Sequence, residues 1–405
     1  MSSGTFYMNN NPFYIMYSSR LFMVAAASSL LFAQPTKAQE TLKQTEIKGL
    51  LVIQLENGKF AGTASQMNAT AVTKKDEKGG FELGYNQSVG DLMKKANEEV
   101  DKFIRVRYAE KLPANMRVEF SFADKYSPKD GPSAGVVCAL MVDSILSGKK
   151  IDPGFAATGA MTATGAVQPV GGVPSKIKGA IRKNCTHVGI PIKNKESITD
   201  EYILKGIKSL YQIQIFTIET FEEAHALAVA KRPENSQKAL DEFAQIQEAL
   251  KKNEKYIYNG KVREKLRNVV KLAPNHLSAR LLYLHSVKKQ PKQLSLLGSL
   301  VGIDNAGSKL IGMLENENFE AVGGLQGDEL SDLVFELSRL RPMLDKRTTR
   351  YVDSYADMSR FIKQHRNRKK FSDGLQREFR KLVNTVEVER KRLLNNEEVR
   401  EELLE

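Results

Sequence analysis

Cysteine and histidine are scarce in this sequence. Its 405 residues include two cysteines, Cys138 and Cys185, and five histidines. Two cysteines suit an exported protein but do not require a disulfide, so we interpret Cys138 as a small buried apolar residue and keep a bridge to Cys185 as the alternative. The histidines lack the spacing of metal ligands, and neither cysteine belongs to a ligand cluster. We therefore expect no metal site and no bound cofactor.

A long apolar run is missing from the N-terminal region. The stretch "LFMVAAASSLLFA" at Leu21–Ala33 is too short for a comfortable transmembrane helix. Arg20 precedes it, and "PTKAQ" follows with Thr36 and Ala38 at the small-residue positions of a cleavage site. This arrangement is typical of a secretory signal peptide. We expect residues 1–38 to be a signal that is removed after Ala38.

Such a signal predicts export, to the periplasm or out of the cell. The stretch before Met16 is long, polar and without positive charge, so a start at Met16 would give a more typical signal. An uncleaved signal is a further alternative, and it would anchor the chain in a membrane. We expect membrane contact only in that case.

The composition indicates neither disorder nor one strongly charged face. Apolar residues make up 41% of the chain and charged residues 27%, which is typical of a soluble globular protein with room for two domain cores. The net charge of +13 is mostly diffuse, with one denser run, "KQHRNRKK", at Lys363–Lys370. We interpret that run as a solvated basic helix, with an acidic partner or a membrane surface as the alternative. Because export argues against it, we expect no nucleic-acid binding.

Strands and helices alternate over residues 44–232. The segments "GLLVIQL" at Gly49–Leu55 and "MRVEFSF" at Met116–Phe122 have strand patterns, and "SVGDLMKKANEEVDKFIRVRYAEKL" between them has an amphipathic helical period. The Gly- and Thr-rich "GFAATGAMTATGAVQPVGG" is predicted to form a strand pair, and further helices and strands follow it. This alternation indicates a compact α/β, or α+β, domain.

Strand-like runs disappear after Arg232. Residues 233–405 are predicted to be all-α, because segments such as "SQKALDEFAQIQEALKKN" have helical periods with charged outer faces. The segment "KVREKLRNVVKLAPNHLSARLLYLHSV" has the pattern of one helix-turn-helix repeat, with Pro274 in the turn and Ala279 and Leu282 facing back. A tetratricopeptide-like array is therefore an alternative for this region, although such arrays need about three units to bury a core.

The stretch "SPKDGPSAG", from Ser127 to Gly135, has two interpretations. Its Gly, Pro, Ser and Asp residues are ordinary turn formers. The apolar helical segment Ala134–Gly148 follows directly, so Ser133 is predicted at the point where a tight loop opens a helix. Backbone N–H groups at such a point face outward and can bind a developing negative charge. Ser133 is therefore a candidate nucleophile as well as a turn residue.

A serine nucleophile needs a base that takes its proton. The two obvious kinds are a histidine backed by a carboxylate and a lysine whose charged form is disfavoured. In "QPVGGVPSKIKGAIR", Lys176 follows the Gly171-Gly172 turn at the start of an amphipathic helix, where the helix N-terminus and apolar surroundings disfavour an ammonium. His187 heads an apolar strand without an obvious acidic partner, so we rank it well below Lys176.

Two of these stretches resemble the motifs of a known family. "PKDGPSAG" at 128–135 resembles the serine motif of the Lon protease proteolytic domain, and "PVGGVPSK" at 169–176 resembles that family's lysine motif. The serine and the lysine are 43 residues apart, the spacing expected of the family's catalytic pair. "ATG" at 157–159 matches a further family position. The resemblance extends over roughly Gly49–Ala230 and implies the Lon-type protease fold.

The resemblance implies a role for each of four residues. Ser133 would be the nucleophile, and Lys176 the general base and later the general acid. Thr158 would orient Lys176 through its hydroxyl. Asp130 would brace the loop, and capping of its own backbone is as strong an interpretation as a direct part in catalysis. Backbone N–H groups near Ser133 would form the oxyanion hole, and no histidine is needed.

Two departures from the family pattern lie at the mouth of the expected site. Ala160 stands where family members often have an acidic residue, and Pro174-Ser175 stands where the lysine motif often has charged ones. Neither change removes Ser133 or Lys176. Substrate preference, however, does not carry over from the family.

The ATP-driven module of full-length Lon proteases is not recognisable in this sequence. Its phosphate-binding loop, G-x-x-x-x-G-K-[ST], is missing, and only about ten residues separate the expected cleavage site from the protease domain. We therefore expect an exported, ATP-independent serine endopeptidase that cleaves unfolded or flexible segments of proteins and peptides. A ring-shaped homo-oligomer is implied by the resemblance alone. The alternative is an inactive scaffold of the same fold whose helical C-terminal region binds a protein partner.

Overall fold

The structure of this chain is a computed structural model that describes most of residues 43–403. The described ranges are 43–54, 60–74, 79–123, 130–314, 327–365, 368 and 372–403. The expected signal peptide at 1–38 lies outside them, and so does half of the basic run at 363–370. Within these ranges, no helix is both long enough and apolar enough to cross a membrane.

A seven-stranded mixed sheet and a separate two-stranded hairpin account for the strands of the described residues. In chain order these are β1 (Gln44–Gln54), β2 (Phe60–Thr73), β3 (Glu82–Tyr85), β4 (Met116–Phe122), β5 (Phe155–Ala157), β6 (Ala160–Met161), β7 (Val167–Gln168), β8 (His187–Pro191) and β9 (Gln214–Ile218). The large sheet has the order β3-β4-β2-β1-β5-β8-β9, and β6 pairs with β7. The pairs β1–β2 and β2–β4 are antiparallel, whereas the other four pairs of the large sheet are parallel.

Helices connect the strands and then form the whole of the C-terminal part that is described. In chain order they are α1 (Asp91–Tyr108), α2 (Gly135–Ser147), α3 (Val173–Arg182), α4 (Lys195–Lys205), α5 (Lys208–Tyr211), α6 (Phe221–Ala228), α7 (Glu234–Lys252), α8 (Gly260–Leu272), α9 (Leu277–Ser286), α10 (Leu296–Leu314), α11 (Gly327–Leu340), α12 (Thr349–His365), α13 (Asp373–Leu394) and α14 (Glu397–Leu403). The expected mixed α/β domain followed by an all-helical region is confirmed.

Two strand predictions differ from the structure in detail. The Gly- and Thr-rich segment was expected to form one strand pair, but its first strand, β5, joins the large sheet between β1 and β8. Only β6 and β7 pair with each other. The edge strand β3 is not predicted from the sequence, because its four residues include Gly84 and carry too little alternation to be recognised.

Helix α2 lies at the centre of the fold. Its residues from Gly135 to Leu146 are all buried, which agrees with an apolar sequence on every face. The one charged residue of α2 is Asp143, which is 2% exposed and whose carboxylate contacts charged and polar groups of two neighbouring helices. Arg107 Nε of α1 lies 2.8 Å from Asp143 Oδ1, and the hydroxyl of Tyr108 donates to the same oxygen at 2.9 Å.

A histidine completes this cluster from the side of α6. His225 Nε2 lies 3.3 Å from the second carboxylate oxygen of Asp143, a close polar contact that does not meet hydrogen-bond geometry. Arg107 also pairs with Glu222 of α6 and lies over the ring of Phe221. The buried carboxylate therefore joins α1, α2 and α6, and so fixes the helix that begins just after Ser133.

The first three C-terminal helices belong to the same hydrophobic core as the sheet. The buried residues of that core run from Ile47 to Leu282 and include residues of α7, α8 and α9. His276, at the N-terminus of α9, forms an isolated antiparallel β-bridge with Phe216 of the edge strand β9. The onset of all-helical structure agrees with the expected boundary at 232/233, but packing continues across it. As a domain boundary, that position stays a prediction.

A second hydrophobic core is built from the remaining helices. Its buried residues run from Leu294 to Val399. Asp200 of α4 connects the two cores, because its carboxylate accepts from the backbone N–H of Ser295 at 2.8 Å and from its hydroxyl at 2.6 Å, just before α10. Ala279 and Leu282 are buried as expected. The tetratricopeptide-like array stays a prediction, since α8 and α9 give one such pair.

We predict that Asp143→Asn lowers stability in a pH-dependent way. Burial alone would raise the pKa of Asp143, but contact with His225, the hydrogen bond from Tyr108 and the charge of Arg107 hold this pKa below its ordinary value. The stabilisation is therefore present above the pKa of the unfolded chain, about 4, and is lost as the pH falls through the folded-state pKa. At pH 7 we expect a loss of about 2–3 kcal/mol in the free energy of unfolding.

Denaturant unfolding at several pH values measures this difference. The difference in the free energy of unfolding between wild type and Asp143→Asn should become smaller below about pH 4. Glu248→Gln is the control, because its exposed pair with Lys251 on α7 should leave stability unchanged. A gap that stays constant down to pH 3 would contradict the role of the buried carboxylate.

Candidate active site

The loop before α2 presents Ser133. Gly131 has φ +105°, a backbone conformation that side-chain-bearing residues rarely adopt. Residues Pro132–Ala134 then form one 3₁₀ turn that leads directly into α2. Ser133 is 8% exposed in this turn. The predicted position of Ser133, at the point where a tight loop opens a helix, is confirmed.

Two hydrogen bonds hold the carbonyl of Ser133 against the end of β5. The backbone N–H of Gly159 donates to it at 2.9 Å, and the hydroxyl of Thr158 donates to it at 3.3 Å. In return, the N–H of Val136 donates to the carbonyl of Gly159 at 3.1 Å. The nucleophile loop is thus paired with the segment that follows β5, and Thr158 is fully buried at this junction.

Lys176 lies in the first turn of α3. Its side chain is 1% exposed, and its backbone N–H donates to the carbonyl of Gly172 at 3.0 Å. Full burial is unusual for lysine, which normally keeps its ammonium in water. A lysine that serves as a base needs such an environment, because desolvation favours the neutral amine.

A close approach between α3 and β2 fixes the first turn of α3. A Cβ placed on Gly62 of β2 would lie 1.8 Å from the carbonyl oxygen of Ser175 and 2.5 Å from the backbone nitrogen of Lys176. Only glycine leaves room for the helix backbone at this point. Gly62 could not be singled out from the sequence, since a single glycine in a run of small residues gives no signal of a helix lying above it.

Asp130 connects the nucleophile loop with α1. Its Oδ1 accepts from the backbone N–H of Gly131 at 2.8 Å and from that of Met93, in the first turn of α1, at 3.0 Å. This geometry includes both the bracing of the loop and the capping of its own backbone that were expected. It adds a helix cap at α1, which stabilises the N-terminal end of that helix. A direct part in catalysis stays a prediction.

The hairpin β6–β7 extends the same junction toward α1. Glu99 of α1 accepts from the backbone N–H of Ala163 at 2.9 Å, and the ring of Phe103 fills the space beside Gly165. Ala160, one of the two departures from the family pattern, is half-buried in β6. The hairpin is therefore held by α1 and continues directly from the residues that bind the Ser133 carbonyl.

His187 makes contacts elsewhere in the structure. Its ring nitrogens lie 2.8 Å from the hydroxyl of Thr186 and 3.2 Å from the carbonyl of Leu227. Burial lowers the pKa of His187 to about 4, so its ring is neutral at ordinary pH. These contacts agree with ranking it below Lys176 as a base.

Both cysteines are free and buried, so the alternative of a bridge between them is not realised. Cys138 lies 3.6 Å from the hydroxyl of Tyr85, and burial raises the pKa of its thiol to about 12. A thiol of this kind is unreactive. Among the described residues, no group of three or more His, Cys, Asp or Glu side chains is arranged to hold a metal ion.

Comparison with known proteins identifies the N-terminal half. Residues 33–231 match the family of the Lon protease (S16) C-terminal proteolytic domain, so this domain, with its mixed α/β fold, is present in the chain. The chain is 32% identical over 165 residues to Lon protease 2 of Borreliella burgdorferi. This match covers 38% of this chain and 20% of that protein.

Two further relatives give the same result. Identity with the Lon protease of Methanosarcina barkeri is 32% over 152 residues, covering 36% of this chain and 18% of that protein. Identity with the archaeal Lon protease of Thermoplasma volcanium is 28% over 201 residues, covering 49% and 30% respectively. The chain thus spans less than a third of the length of these relatives.

We predict that Gly62→Ala destabilises the fold. The added methyl group would collide with the backbone of Ser175, so α3 and β2 must separate, and Lys176 moves with α3. Overpacking of this kind costs about 1–3 kcal/mol. Thermal unfolding measures the loss. Gly260→Ala, at a glycine with no atom near its Cβ position, is the matched control and should be neutral or slightly stabilising. Equal melting temperatures for Gly62→Ala and wild type would contradict the close approach.

Proposed function

We propose that this chain, which carries a Lon protease C-terminal proteolytic domain, is a serine endopeptidase that uses Ser133 and Lys176 as its catalytic pair. The observation that carries the proposal is the setting of the two residues. Ser133 opens a fully buried helix, and Lys176 is a fully buried lysine in the first turn of another helix. Both stand in stretches that resemble the family's serine and lysine motifs.

The reaction would be acyl transfer through an ester on Ser133. The neutral amine of Lys176 takes the hydroxyl proton while Oγ attacks the carbonyl carbon of the peptide bond. The resulting ammonium gives that proton to the leaving amine as the C–N bond breaks. Lys176 next takes a proton from water, which attacks the ester, and returns it to Oγ of Ser133 as the acid product leaves.

The turn at the start of α2 would also stabilise the oxyanion. The N–H of Gly135 is bonded to the carbonyl of Pro132, and that of Val136 to the carbonyl of Gly159. The candidate donors are therefore the N–H groups of Ser133 and Ala134, the two residues just before Gly135. Donors of this type contribute about 3–4 kcal/mol each to transition-state stabilisation.

Thr158 and Asp130 would act as positioning residues. The hydroxyl of Thr158 donates to the carbonyl of Ser133 and so fixes the backbone that presents the nucleophile. An additional contact with Lys176, implied by the family resemblance, is part of the proposal. Asp130 holds the loop to α1 through two backbone N–H groups.

The proposed substrates are unfolded or flexible segments of proteins and peptides, cleaved without ATP. Support for the ATP independence comes from the sequence, which has no G-x-x-x-x-G-K-[ST] loop. We also propose export, on the signal-like pattern of residues 1–38. N-terminal sequencing of the protein from the exported fraction should begin at Gln39, and an intact N-terminus would contradict cleavage.

We predict that the purified protein degrades casein without ATP, and that Ser133→Ala and Lys176→Ala each lower the rate by at least about a thousandfold. Ser133→Ala lacks the nucleophilic hydroxyl, and Lys176→Ala lacks the amine that activates it. Ser338→Ala and Lys195→Ala change exposed residues on α11 and α4 and should retain full activity. The rate is measured from the appearance of casein fragments over time, which are separated by electrophoresis and identified by mass spectrometry. Undiminished cleavage in either site variant would overturn the proposed mechanism.

A further inference from the structure

A cavity of about 160 Å³ lies between α3, α4 and α5, and none of the four proposed site residues, Ser133, Lys176, Thr158 and Asp130, lines it. Its apolar wall includes Ile177, Ile198 and Ile215, all of which are nearly fully buried. Lys178 and Lys205 lie at its mouth with their side chains about half exposed. The cavity is sized for a short molecule, and it combines an apolar interior with a charged opening.

The charges at the mouth are unbalanced. Lys178 Nζ lies 3.1 Å from a carboxylate oxygen of Glu201, and Lys205 Nζ lies 2.5 Å from the same oxygen. Lys208 lines the cavity as well, so the lining includes three lysines and one carboxylate. Burial and the neighbouring Lys205 lower the pKa of Lys178. A second carboxylate at this point would relieve the repulsion between the two lysines that share Glu201.

We propose that this cavity binds a small amphipathic carboxylate, whose short apolar body enters among the isoleucines and whose carboxylate pairs with Lys178 and Lys205. Charge complementarity selects an anion over a cation, and the apolar wall selects a hydrocarbon body over a bare anion. A free short-chain acid and the C-terminal residue of a short peptide share this chemistry. Binding does not require that the chain be a peptidase.

The site lies on the reverse side of a helix already described. Residues 176 and 178 are two positions apart in α3, so their side chains leave the helix in nearly opposite directions. Lys176 faces the interior beside β2, whereas Lys178 faces the cavity. The ligand would therefore contact α3 without reaching the Ser133 site.

Calorimetric titration of the full chain with hexanoate tests the proposal. We expect saturable binding, with hexylamine and acetate at least about tenfold weaker, because each lacks one of the two features. The double variant Lys178→Gln/Lys205→Gln should bind hexanoate at least about tenfold more weakly. Lys195→Gln, on α4 but outside the cavity, should bind it as wild type does.

Methyl NMR of wild type locates the binding independently of any variant. The methyl signals of Ile177, Ile198 and Ile215 should shift with hexanoate, in step with the calorimetric curve. Tighter binding of a leucine-ended tripeptide acid than of hexanoate would assign the site to peptide ends, and the reverse order to free acids. The proposal is overturned if hexanoate does not saturate, if it binds the double variant as tightly as wild type, or if these methyl signals do not move.

Discussion

The carbonyl of Ser133 is the point on which the candidate site depends. Two donors from the segment after β5, the hydroxyl of Thr158 and the N–H of Gly159, hold this one oxygen. Because β5 is a central strand between β1 and β8, the loop that presents Ser133 is attached to the interior of the sheet and not to an edge. A loop whose backbone is fixed in this way holds the Ser133 side chain at a defined position, which suits a nucleophile that must meet a substrate.

The other parts of the site are arranged around that point by ordinary packing. Asp143 joins α2 to α1 and α6, so the helix that begins after Ser133 cannot rotate easily. Gly62 lets α3 lie directly on β2, which brings the buried Lys176 down onto the sheet. Asp130 links the loop to α1 by accepting a hydrogen bond from the backbone N–H of Met93. Each of these contacts acts on the backbone that holds a reactive group, and none involves the hydroxyl of Ser133 itself.

Much of this arrangement could be predicted from the sequence, because short motifs carry strong local information. The Gly-Pro turn before an apolar run placed Ser133 at a helix entrance, and the Gly-Gly turn placed Lys176 in a first helical turn. The burial of Lys176 was only implied, since it depends on β2, which is distant in sequence. Asp143, Arg107 and His225 gave no signal because their pairing joins three helices that are separated along the chain.

The continuation of the first core into α7, α8 and α9 was also beyond the sequence. Helical period predicts an apolar face but does not say which partner covers it, and here α9 lies against the edge strand β9 while α8 packs between α7 and α9. Likewise, the cavity beside α3 is formed by three helices, α3, α4 and α5, and by strand β9, which meet only in the folded chain. Periodicity is local, whereas these features depend on topology.

Covalent labelling by a fluorophosphonate tests the central claim most directly, because it reports an activated serine without any choice of substrate. We predict that wild type is labelled at one residue, Ser133, as identified by peptide mass spectrometry, and that Lys176→Ala loses the label while remaining folded. A folded wild-type protein that resists the reagent, or a Lys176→Ala variant labelled as fast as wild type, would contradict the account and favour a scaffold that keeps the protease fold without its chemistry.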